Sequence, residues 1–530
     1  MLKRRDLLKA SAALPLASAG AQSSDSEAKK NKKKRRRKKK SGRDFSQMNV
    51  ILFITDQQRA IMHFPEGWAE ANLPGATRLE QNGLSFTRAY CNACMCSPSR
   101  ATLFTGFFPA QHGVKYTLEE DMPSPQYPQV ELPLNLPNLA TVMKAAGFQV
   151  PYKGKFHLTK PQGADWEPND VNKYGWERWN PPDAGANQDI DQFGGGDPNN
   201  DGRYMNDDGP YEVGDEGVFE FLNSPAAKQQ KFFLTVSLVN PHDVLSSPNT
   251  YDAPGAGYDD RDLVGTIGLP ETVDESLSTK PTAQQQFLVL SAAGIGPLNT
   301  DQKKRDYLNF YGNLMKESDA YLVQILNTLD KLGMRENTLI IQTSDHGEMG
   351  MAHGGLRQKN FNFYEETLTV ALVYSNPMLY SKPMQSNAMV SHVDFLPTMA
   401  SLFGAPDSAK ARWQGVDYAK ILRKPKKHKE VQKYVVFTYD DFQAGQASGP
   451  YVQPPNHITS IREGRYKLAK YYDVDGTVPE QWEMYDLQKD PLETVNIAYS
   501  GYSPSKNQRK ELNKLQKKLA NVEATRLQPL

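Results

Sequence analysis

The sequence predicts an α/β protein with two parts: a large, doubly wound and mostly parallel sheet domain, and a smaller C-terminal antiparallel sheet domain with a helix. The first part follows from four short apolar runs, each of which ends in a cluster of polar residues. Buried parallel strands have this pattern, because α/β proteins place their sites at the carboxyl ends of the strands. The second part follows from four short strand-like runs after residue 433 and an amphipathic helix near Lys506–Arg526. A chain of 530 residues is long enough for both.

The overall charge balance hides two different parts of the chain. The formal net charge is +1, but residues 1–43 hold 16 Lys and Arg against three acidic residues. The rest of the chain therefore carries 46 basic and 58 acidic residues, a net charge of −12. A net acidic body argues against nucleic acid as its main partner, because phosphate backbones attract cationic surfaces. We therefore expect no nucleic-acid partner.

The amino terminus has the pattern of an export signal. The twin-arginine segment Lys3–Lys9 precedes an apolar, alanine-rich stretch that is too short to span a membrane. Small residues within Ala17–Ala21 offer a cleavage site. Residues 1–21 are therefore predicted to be a twin-arginine signal peptide, which implies the twin-arginine translocase as a partner and a periplasmic or extracellular location.

A basic linker follows over residues 22–45, and we predict that it is disordered. Twelve of the fifteen residues in Lys29–Arg43 are basic, and such a run repels itself and builds no core. Two uses remain open for Lys29–Arg43: a solvated spacer, or contact with an anionic cell envelope or polysaccharide.

The first two apolar runs deliver polar residues to one predicted edge of the sheet. Val50–Thr55 has the pattern of a buried strand and is followed directly by Asp56. A helix over Pro137–Gly147 and a strand over Phe148–Tyr152 lead to the polar segment Lys155–His157.

The third and fourth apolar runs repeat this arrangement. Phe232–Val239 is predicted to be a strand that leads to His242. A long helix over Asp301–Gly333 precedes a strand over Thr338–Gln342, which leads to Asp345. Because four strand-like runs end in polar clusters, the sequence predicts one active site at the carboxyl edge of a doubly wound sheet.

The domain boundaries follow from composition. The large domain is predicted over 46–425 and the small α+β domain over 430–530, separated by a basic, proline-interrupted segment. Within the large domain, the segment Asn180–Glu216 is rich in Gly, Asp, Asn and Pro. Its part Asp197–Asp208 resembles a calcium-binding loop, but no helices clearly flank it, so a surface loop bordering the substrate mouth is favoured and a second calcium site stays open.

All three cysteines lie within six residues, which excludes a disulfide-stapled scaffold. Cys91 and Cys94 are either buried thiols or a local pair. Cys96 stands one residue ahead of a Pro-Ser-Arg run and shortly before a Thr-Gly pair. The same stretch predicts a helix start capped by Ser97, which would aim Cys96 out of a helix N-terminus that favours anions.

Taken together, these motifs resemble the type I sulfatases, which depend on formylglycine and belong to the alkaline phosphatase superfamily. The resemblance covers Asn49 to about Asn496 and implies an alkaline-phosphatase-like fold. The matching motifs occur in the family's order: Cys96–Gly106, Gly154–His157, Ser344–Glu348, Lys359 ahead of Tyr364–Glu366, and Tyr485–Leu487 with Asp490–Pro491.

The resemblance implies that Cys96 is oxidised to formylglycine by a formylglycine-generating maturation enzyme. A thiol that attacked a sulfate ester would leave a stable adduct, whereas a hydrated aldehyde has two hydroxyls on one carbon. One hydroxyl attacks sulfur, and deprotonation of the other then expels sulfate and restores the aldehyde.

The resemblance also implies a divalent metal that lowers the proton affinity of the attacking hydroxyl. We expect Ca²⁺, with Mn²⁺ or Mg²⁺ as alternatives. Gln57 and His346 depart from the commonest family pattern, which has Asp and Asn there, and they resemble phosphonate monoester hydrolases and some choline sulfatases. An imidazole is unusual for calcium, which prefers oxygen. The predicted ligands are Asp56, Gln57, Cys96, Asp345 and His346.

The remaining family roles fall on five basic residues. Arg100 would bind and orient the formylglycine, and Lys155 and Lys359 would neutralise the transferred sulfuryl oxygens. His157 would be the base of the release step. His242 and Lys359 would protonate or stabilise the leaving oxygen.

The sequence therefore predicts an exported sulfatase that hydrolyses sulfate monoesters. Its substrate would be a sulfated small molecule or glycan, with aryl, choline and glycan sulfates all open. One alternative is a phosphonate monoester or phosphodiester hydrolase of the same superfamily. The other is an unmatured carbohydrate-binding protein that keeps the fold without the modification.

Overall fold

The computed structural model describes residues 42–60, 62–119, 129–184, 201–206, 216–253, 257–444 and 451–530. Phe45–Leu530 forms one compact unit. The predicted signal peptide, almost all of the basic linker, and Asp197 and Asp208 of the calcium-like loop lie outside the described residues. The boundary between the predicted domains 46–425 and 430–530 stays a prediction.

Thirteen strands occur in the described part of the chain. In chain order they are β1 (Asn49–Thr55), β2 (Gly83–Phe86), β3 (Ala89–Tyr90), β4 (Tyr152–Gly154), β5 (Phe233–Ser237), β6 (Thr338–Ser344), β7 (Leu372–Ser375), β8 (Met384–Ser386), β9 (Val390–Ser391), β10 (Tyr434–Tyr439), β11 (His457–Glu463), β12 (Tyr466–Tyr472) and β13 (Gln481–Asp486).

The described α-helices are mostly short, with two long exceptions, one in the middle of the chain and one near its C-terminus. In chain order they are α1 (Trp68–Asn72), α2 (Pro74–Gln81), α3 (Cys96–Thr105), α4 (Pro109–His112), α5 (Leu139–Ala145), α6 (Pro168–Asn172), α7 (Gly202–Met205), α8 (Val218–Asn223), α9 (Pro225–Gln229), α10 (Thr282–Gly294), α11 (Asp301–Lys331), α12 (Ala352–Gly355), α13 (Glu365–Leu368), α14 (Phe395–Phe403), α15 (Ala419–Arg423) and α16 (Lys506–Arg526). Among the described residues, none of these helices is both long enough and apolar enough to cross a membrane.

The large sheet has seven strands in the order β4-β5-β1-β6-β7-β2-β8. The four neighbouring strands β4, β5, β1 and β6 run parallel to one another. Strand β7 runs antiparallel to both of its neighbours. Alternate residues of β1 enter separate cores: Leu52 packs with residues of α5 and α14, whereas Phe53 packs with residues of α11. Helices therefore cover both faces of the sheet, which confirms the predicted doubly wound, mostly parallel architecture.

One predicted strand is displaced along the chain. The strand before Lys155 was expected over Phe148–Tyr152, but β4 covers only Tyr152–Gly154. Upstream of β4, Gln149 and Pro151 make only isolated bridges. Proline has no N–H for a ladder, which shortens the regular pairing at this outer strand of the sheet.

The small sheet is antiparallel in the order β10-β11-β12-β13, as predicted. The C-terminal helix α16 begins and ends at the predicted residues. It packs Leu515, Leu519 and Val522 against the inward side chains of the sheet, among them Ile461 and Leu468. This helical spacing of apolar residues explains why the helix could be predicted from the sequence.

The segment Asn180–Glu216 differs from the expected surface loop. In its described parts, Asp183, Asp201 and Tyr204 are buried. Asp201 belongs to the calcium-like motif, but its two carboxylate oxygens accept backbone N–H groups from the turn after β5. The expectation of a surface loop is therefore wrong at these positions.

Candidate active site

Four parallel strands bring the candidate residues to one edge of the sheet. Asp56 follows β1, Lys155 follows β4, and Asp345 follows β6. His242 opens a short 3₁₀-helix after β5. Because β4, β5, β1 and β6 are neighbours, their carboxyl ends meet, as the sequence predicted.

Cys96 comes to this edge as the first residue of α3. The residue that precedes the helix is Met95, whose side chain makes no capping hydrogen bond. The prediction that Ser97 caps the helix is wrong, because Ser97 lies inside the first turn and its Oγ accepts the N–H of Leu118 at 3.0 Å. Cys91 and Cys94, in contrast, are buried free thiols, as favoured from the sequence.

Four potential metal ligands converge beside the start of α3. The ligand atoms of Asp56, Cys96, Asp345 and His346 all lie within 4.8 Å of one another and are buried. His346 Nε2 is 3.3 Å from Cys96 Sγ and 3.6 Å from a carboxylate oxygen of both Asp56 and Asp345. His346 Nδ1 lies 3.0 Å from the carbonyl oxygen of Gly347.

This donor set fits a divalent cation. His346 Nδ1–H donates a hydrogen bond to the Gly347 carbonyl oxygen, so the lone pair of the ring lies on Nε2 and is directed at the two carboxylates. Burial and the nearby Lys359 ammonium lower the pKa of His346, which keeps the ring neutral. Two carboxylates and an imidazole lone pair that meet away from water are stabilised by a cation between them.

Gln57 has a different environment from the other predicted ligands. Its side-chain Oε1 accepts a hydrogen bond from Lys359 Nζ at 2.6 Å, and its Nε2 donates to Glu348 at 2.7 Å and to Gln358 at 3.1 Å. Its backbone N–H donates to Asp345 Oδ1 at 3.0 Å. Gln57 therefore links the metal-ligand cluster to Lys359, and its role as a ligand stays a prediction.

Arg100 holds the two carboxylates in place. Its Nε donates to Asp345 Oδ2 at 2.9 Å and its Nη2 to Asp56 Oδ2 at 3.0 Å. Its Nη1 donates to the carbonyl oxygen of Lys155 and to Ser237 Oγ at 2.9 and 2.8 Å. A planar guanidinium serves such a fork better than an ammonium would. The predicted contact of Arg100 with a modified residue 96 stays a prediction.

The positive charges around the cluster outweigh the effect of burial on the pKa of Asp56 but not on that of Asp345. Burial favours the neutral acid, but Lys155 Nζ lies 2.7 Å from Asp56 Oδ2 and, with Arg100, holds the pKa of Asp56 well below its usual range. At Asp345, burial and the neighbouring Asp56 raise the pKa. Burial and Asp56 also raise the pKa of the Cys96 thiol to about 12, so the thiol is protonated at neutral pH.

His157 and His242 are held as neutral rings. Burial and the nearby Lys155 ammonium lower the pKa of both well below its usual range. His157 Nε2 lies 2.7 Å from the carbonyl oxygen of Leu118, which assigns the ring proton to Nε2. The opposite nitrogen, Nδ1, has no hydrogen-bond partner in the described part of the chain and is available to accept a proton.

A cavity of about 110 Å³ opens beside these groups. The predicted residues Cys96, His157, His242 and Lys359 line it together. Its other side is formed by apolar and aromatic residues, among them Leu245, Phe287, Ile295 and Tyr451. The cavity thus pairs a reactive polar wall with an apolar wall, as ligand sites commonly do.

Sequence reasoning missed several residues that organise the site. Ser237 at the end of β5 accepts from Arg100, and Gln358 and Glu348 hold Gln57. Ser237 lies inside the predicted apolar run Phe232–Val239, so its hydroxyl gave only a weak local signal. The carboxylate of Asp183 binds the turn that carries His157 and had no local signal.

The chain is similar to proteins of known activity along most of its length. It is 25% identical over 423 residues to a delta 4,5-hexuronate-2-O-sulfatase of Bacteroides thetaiotaomicron, covering 78% of this chain and 77% of the relative. It is 23% identical over 479 residues to an ulvan-active sulfatase of Formosa agariphila, covering 89% and 81%.

Solved structures share the fold. A 2-O GAG sulfatase superposes with a TM-score of 0.67 at 22% identity, covering 90% of this chain and 92% of the other. A phosphonate monoester hydrolase of Agrobacterium radiobacter superposes with a TM-score of 0.62 at 20% identity, covering 90% and 96%. These superpositions show that the chain shares the fold of sulfatases and phosphonate monoester hydrolases.

Family models narrow this class. The model described as Sulfatase matches residues 48–405, more than half of the chain. The model described as N-sulphoglucosamine sulphohydrolase, C-terminal, matches residues 353–525. The chain therefore belongs to the sulfatase family and is a sulfuric ester hydrolase.

Proposed function

We propose that this protein hydrolyses sulfate monoesters with residue 96 as the nucleophile, after oxidation of Cys96 to formylglycine by a separate maturation enzyme. The observation that carries the proposal is the position of Cys96. It lies at the start of α3, with its Sγ 3.3 Å from His346 Nε2 and 3.6 Å from Asp56 Oδ1. A nucleophile at this point faces both the metal ligands and the cavity.

The basic residues at and behind the cavity wall have separate tasks in this proposal. Lys155 and Lys359 bind the sulfuryl oxygens, where negative charge shifts as the ester bond breaks. His157 Nδ1 accepts the proton given up when sulfate is released. His242 and Lys359 protonate or stabilise the oxygen of the leaving alcohol from the cavity wall.

The metal in this proposal is Ca²⁺, with Mn²⁺ or Mg²⁺ as alternatives. Asp56, Asp345, His346 and residue 96 would hold it, with Gln57 as the remaining predicted ligand. Such a cation lowers the proton affinity of a bound hydroxyl and stabilises negative charge on the ester. Arg100 keeps the two carboxylates aligned for it through the hydrogen bonds to Asp56 and Asp345.

Removal of the metal tests this part directly. We expect a chelator to abolish sulfatase activity and to lower the thermal midpoint, because Asp56 and Asp345 then face each other in a buried site. Activity should return on addition of a single divalent cation, and a series with Ca²⁺, Mn²⁺ and Mg²⁺ would identify it. Full activity after exhaustive chelation would contradict a metal role.

The substrate class we propose is a sulfated glycan, with aryl and choline sulfates as alternatives. Support comes from the names of relatives, which act on a hexuronate 2-O-sulfate and on ulvan. Activity profiling against sulfated glycan fragments, with aryl sulfate and choline sulfate in parallel, tests this choice.

The deciding experiment on the nucleophile is mass spectrometry of the peptide that contains Cys96. We expect the mass that corresponds to an aldehyde in place of the thiol when the protein is purified from its native host. An unmodified thiol in an inactive protein would instead support a carbohydrate-binding protein that keeps the sulfatase fold.

A phosphonate monoester or phosphodiester hydrolase is the second candidate function. Gln57 and His346 favour it, and a phosphonate monoester hydrolase shares the fold with a TM-score of 0.62. Side-by-side turnover of an aryl sulfate and an aryl phosphonate by the purified protein separates the two. A large preference for the phosphonate would overturn the sulfatase proposal.

We further propose that the protein is exported to the periplasm or beyond by the twin-arginine translocase, and that Lys29–Arg43 contacts an anionic envelope. Replacement of Arg4 and Arg5 by Lys should leave the protein in the cytoplasm. Release of the exported protein from cell envelopes by salt would support the envelope contact. Retention at all salt concentrations, or no binding at all, would contradict it.

A further inference from the structure

Two buried aspartates bind the backbone of the two turns that carry the active-site histidines. Asp183 accepts the N–H of Phe156 at 2.9 Å and the N–H of His157 at 2.6 Å, one on each carboxylate oxygen. Asp201 repeats this arrangement on the neighbouring turn. It accepts the N–H of Val239 at 2.6 Å and that of Asn240 at 3.1 Å.

Each aspartate binds a turn that lies just beyond the carboxyl end of a strand. Lys155–His157 follows β4, and the backbone of His157 adopts a φ of +57°, a conformation that costs energy for a residue other than glycine. The turn after β5 leads within two residues from Asn240 to His242. Backbone N–H groups beyond the ends of a ladder need other acceptors when they are buried.

The two carboxylates are suited to this task. Asp183 is fully buried and Asp201 is 2% exposed. Hydrogen bonds from N–H groups to a carboxylate are stronger and shorter than those between neutral groups. Arg203, two residues after Asp201, donates to the carbonyl oxygen of Pro182, one residue before Asp183, so the described ends of this segment are also joined to each other.

We propose that Asp183 and Asp201 are positioning residues for catalysis, which hold the His157 and His242 turns against the reaction centre. The proposal rests on the roles given above to these two histidines. Asp201 would then act through His242 on the departure of the alcohol. Asp183 would act through His157 on the release of sulfate.

The test uses variants that keep the size of the side chain. In Asp183→Asn and Asp201→Asn, the amide offers one acceptor and one donor, so one of the two backbone N–H groups loses its acceptor. Asp319→Asn is the matched control. Asp319 is 5% exposed and accepts the N–H of Gly75 and of Ala76 at 2.7 and 2.8 Å in the same manner, away from the cavity.

For Asp201→Asn we expect a loss that depends on the leaving group. An alkyl sulfate needs protonation of its leaving oxygen, whereas para-nitrophenyl sulfate leaves as a stable anion. The fall in kcat/KM should therefore be about tenfold greater for the alkyl sulfate than for the aryl sulfate, the scale of effect that a displaced catalytic group produces.

For Asp183→Asn we expect a different signature. Release of sulfate becomes the slow step, so para-nitrophenyl sulfate should give a burst of nitrophenol followed by turnover about tenfold to a hundredfold slower than in the unaltered enzyme. Both substrates should then have the same kcat, because the slow step follows departure of the alcohol.

Asp319→Asn should lower stability without either signature. The proposal would be overturned if all three variants lost activity equally on both substrates, without a burst, and in proportion to their loss of stability. If a variant does not fold, hydrogen exchange of the backbone amides in the unaltered enzyme tests the proposal instead. The amides of Phe156, His157, Val239 and Asn240 should exchange only on global unfolding, and fast exchange would overturn the proposal. An unaltered enzyme that hydrolyses neither ester would contradict the proposed function instead.

Discussion

Two histidines of the site carry their protons on opposite nitrogens because different backbone carbonyls hold them. His157 Nε2 donates to the carbonyl oxygen of Leu118, which leaves Nδ1 with a lone pair. His346 Nδ1 donates to Gly347, which leaves Nε2 directed at Asp56 and Asp345. One ring thus has its lone pair on Nδ1 and the other on Nε2, although both are neutral.

Lys359 gives a test of charge at the residue scale. Its ammonium lines the cavity and donates to Gln57 at 2.6 Å. In Lys359→Gln, we expect kcat/KM for an aryl sulfate to fall about a hundredfold or more, because a preorganised charge facing the ester oxygens is lost. Steady-state kinetics measure this loss. The exposed Lys303→Gln is the control, and an equal loss in both variants would argue against a role at the site.

His353 gives a test of pH dependence. Its Nδ1 lies 2.7 Å from Glu275 and its Nε2 3.7 Å from Glu366. Burial lowers the pKa, but these two carboxylates outweigh it and raise the pKa of His353 to about 9. The pKa of an unfolded histidine is about 6.5, so the stabilisation is complete below that pH and is lost as the pH rises through about 9.

We therefore expect His353→Gln to lower the free energy of unfolding by on the order of 3 kcal/mol at about pH 6, and by much less at about pH 10. Urea unfolding at both pH values measures the difference. His112→Gln is the control, because burial lowers the pKa of His112 to about 3, so its deficit should be slightly smaller at about pH 6 than at about pH 10, the opposite trend. A deficit for His353→Gln that does not change with pH would contradict the charged pair.

At the scale of elements, the close approach of β4 and β5 sets the position of Lys155. The backbone of Gly154 has a φ of +110°, and a Cβ there would lie 1.9 Å from the carbonyl oxygen of Ser237. That same oxygen accepts the N–H of Lys155 at 2.9 Å. Only glycine permits two backbones to pass this closely.

We expect Gly154→Ala to separate the ends of β4 and β5 and to destabilise the protein by about 3 kcal/mol or more. Gly464→Ala is the matched control, because Gly464 also has a positive φ, +61°, but faces open space. It should cost only about 1 kcal/mol, the cost of backbone strain alone. Chemical unfolding of both variants provides the comparison, and similar losses would contradict the steric argument.

At the scale of the whole molecule, a buried charge joins the small sheet to the segment between β6 and β7. Lys467 of β12 reaches the carbonyl oxygen of Phe363 at 2.5 Å, Glu365 at 3.3 Å and Glu493 at 2.7 Å. Its side chain is fully buried. The antiparallel sheet is therefore fastened beside the segment that carries Lys359, and its packing contributes to the rigidity of the site.

Removal of the Lys467 ammonium should lower the free energy of unfolding far more than the loss of a surface ion pair would. We expect Lys467→Met to lower the free energy of unfolding by about 3–5 kcal/mol, because the buried Glu493 loses its cationic partner, whereas Glu365 keeps Arg462. The double variant Lys467→Met/Glu493→Gln should recover part of that loss. Urea unfolding measures both, and a double variant less stable than the single one would contradict the uncompensated charge as the cause.

Much of the fold could be predicted from local pattern. The apolar runs that became β1, β5 and β6 were identified within two residues at each end, and α16 was predicted at its observed bounds. The strand before Lys155 was misplaced, because Pro151 lacks the N–H that a continuous ladder needs, although the run around it has the composition of a strand.

The sequence by itself determined which side chains reach the carboxyl edge of the sheet, because burial on both faces leaves a continuous apolar run that ends where the polar residues begin. Only the tertiary structure decided how these side chains pair. Lys359 meets Gln57, and Asp183 and Asp201 meet the backbone of the histidine turns. These contacts join residues that are far apart in the chain or on separate turns, and residue periodicity reports the burial of one element but carries no information on its distant partners.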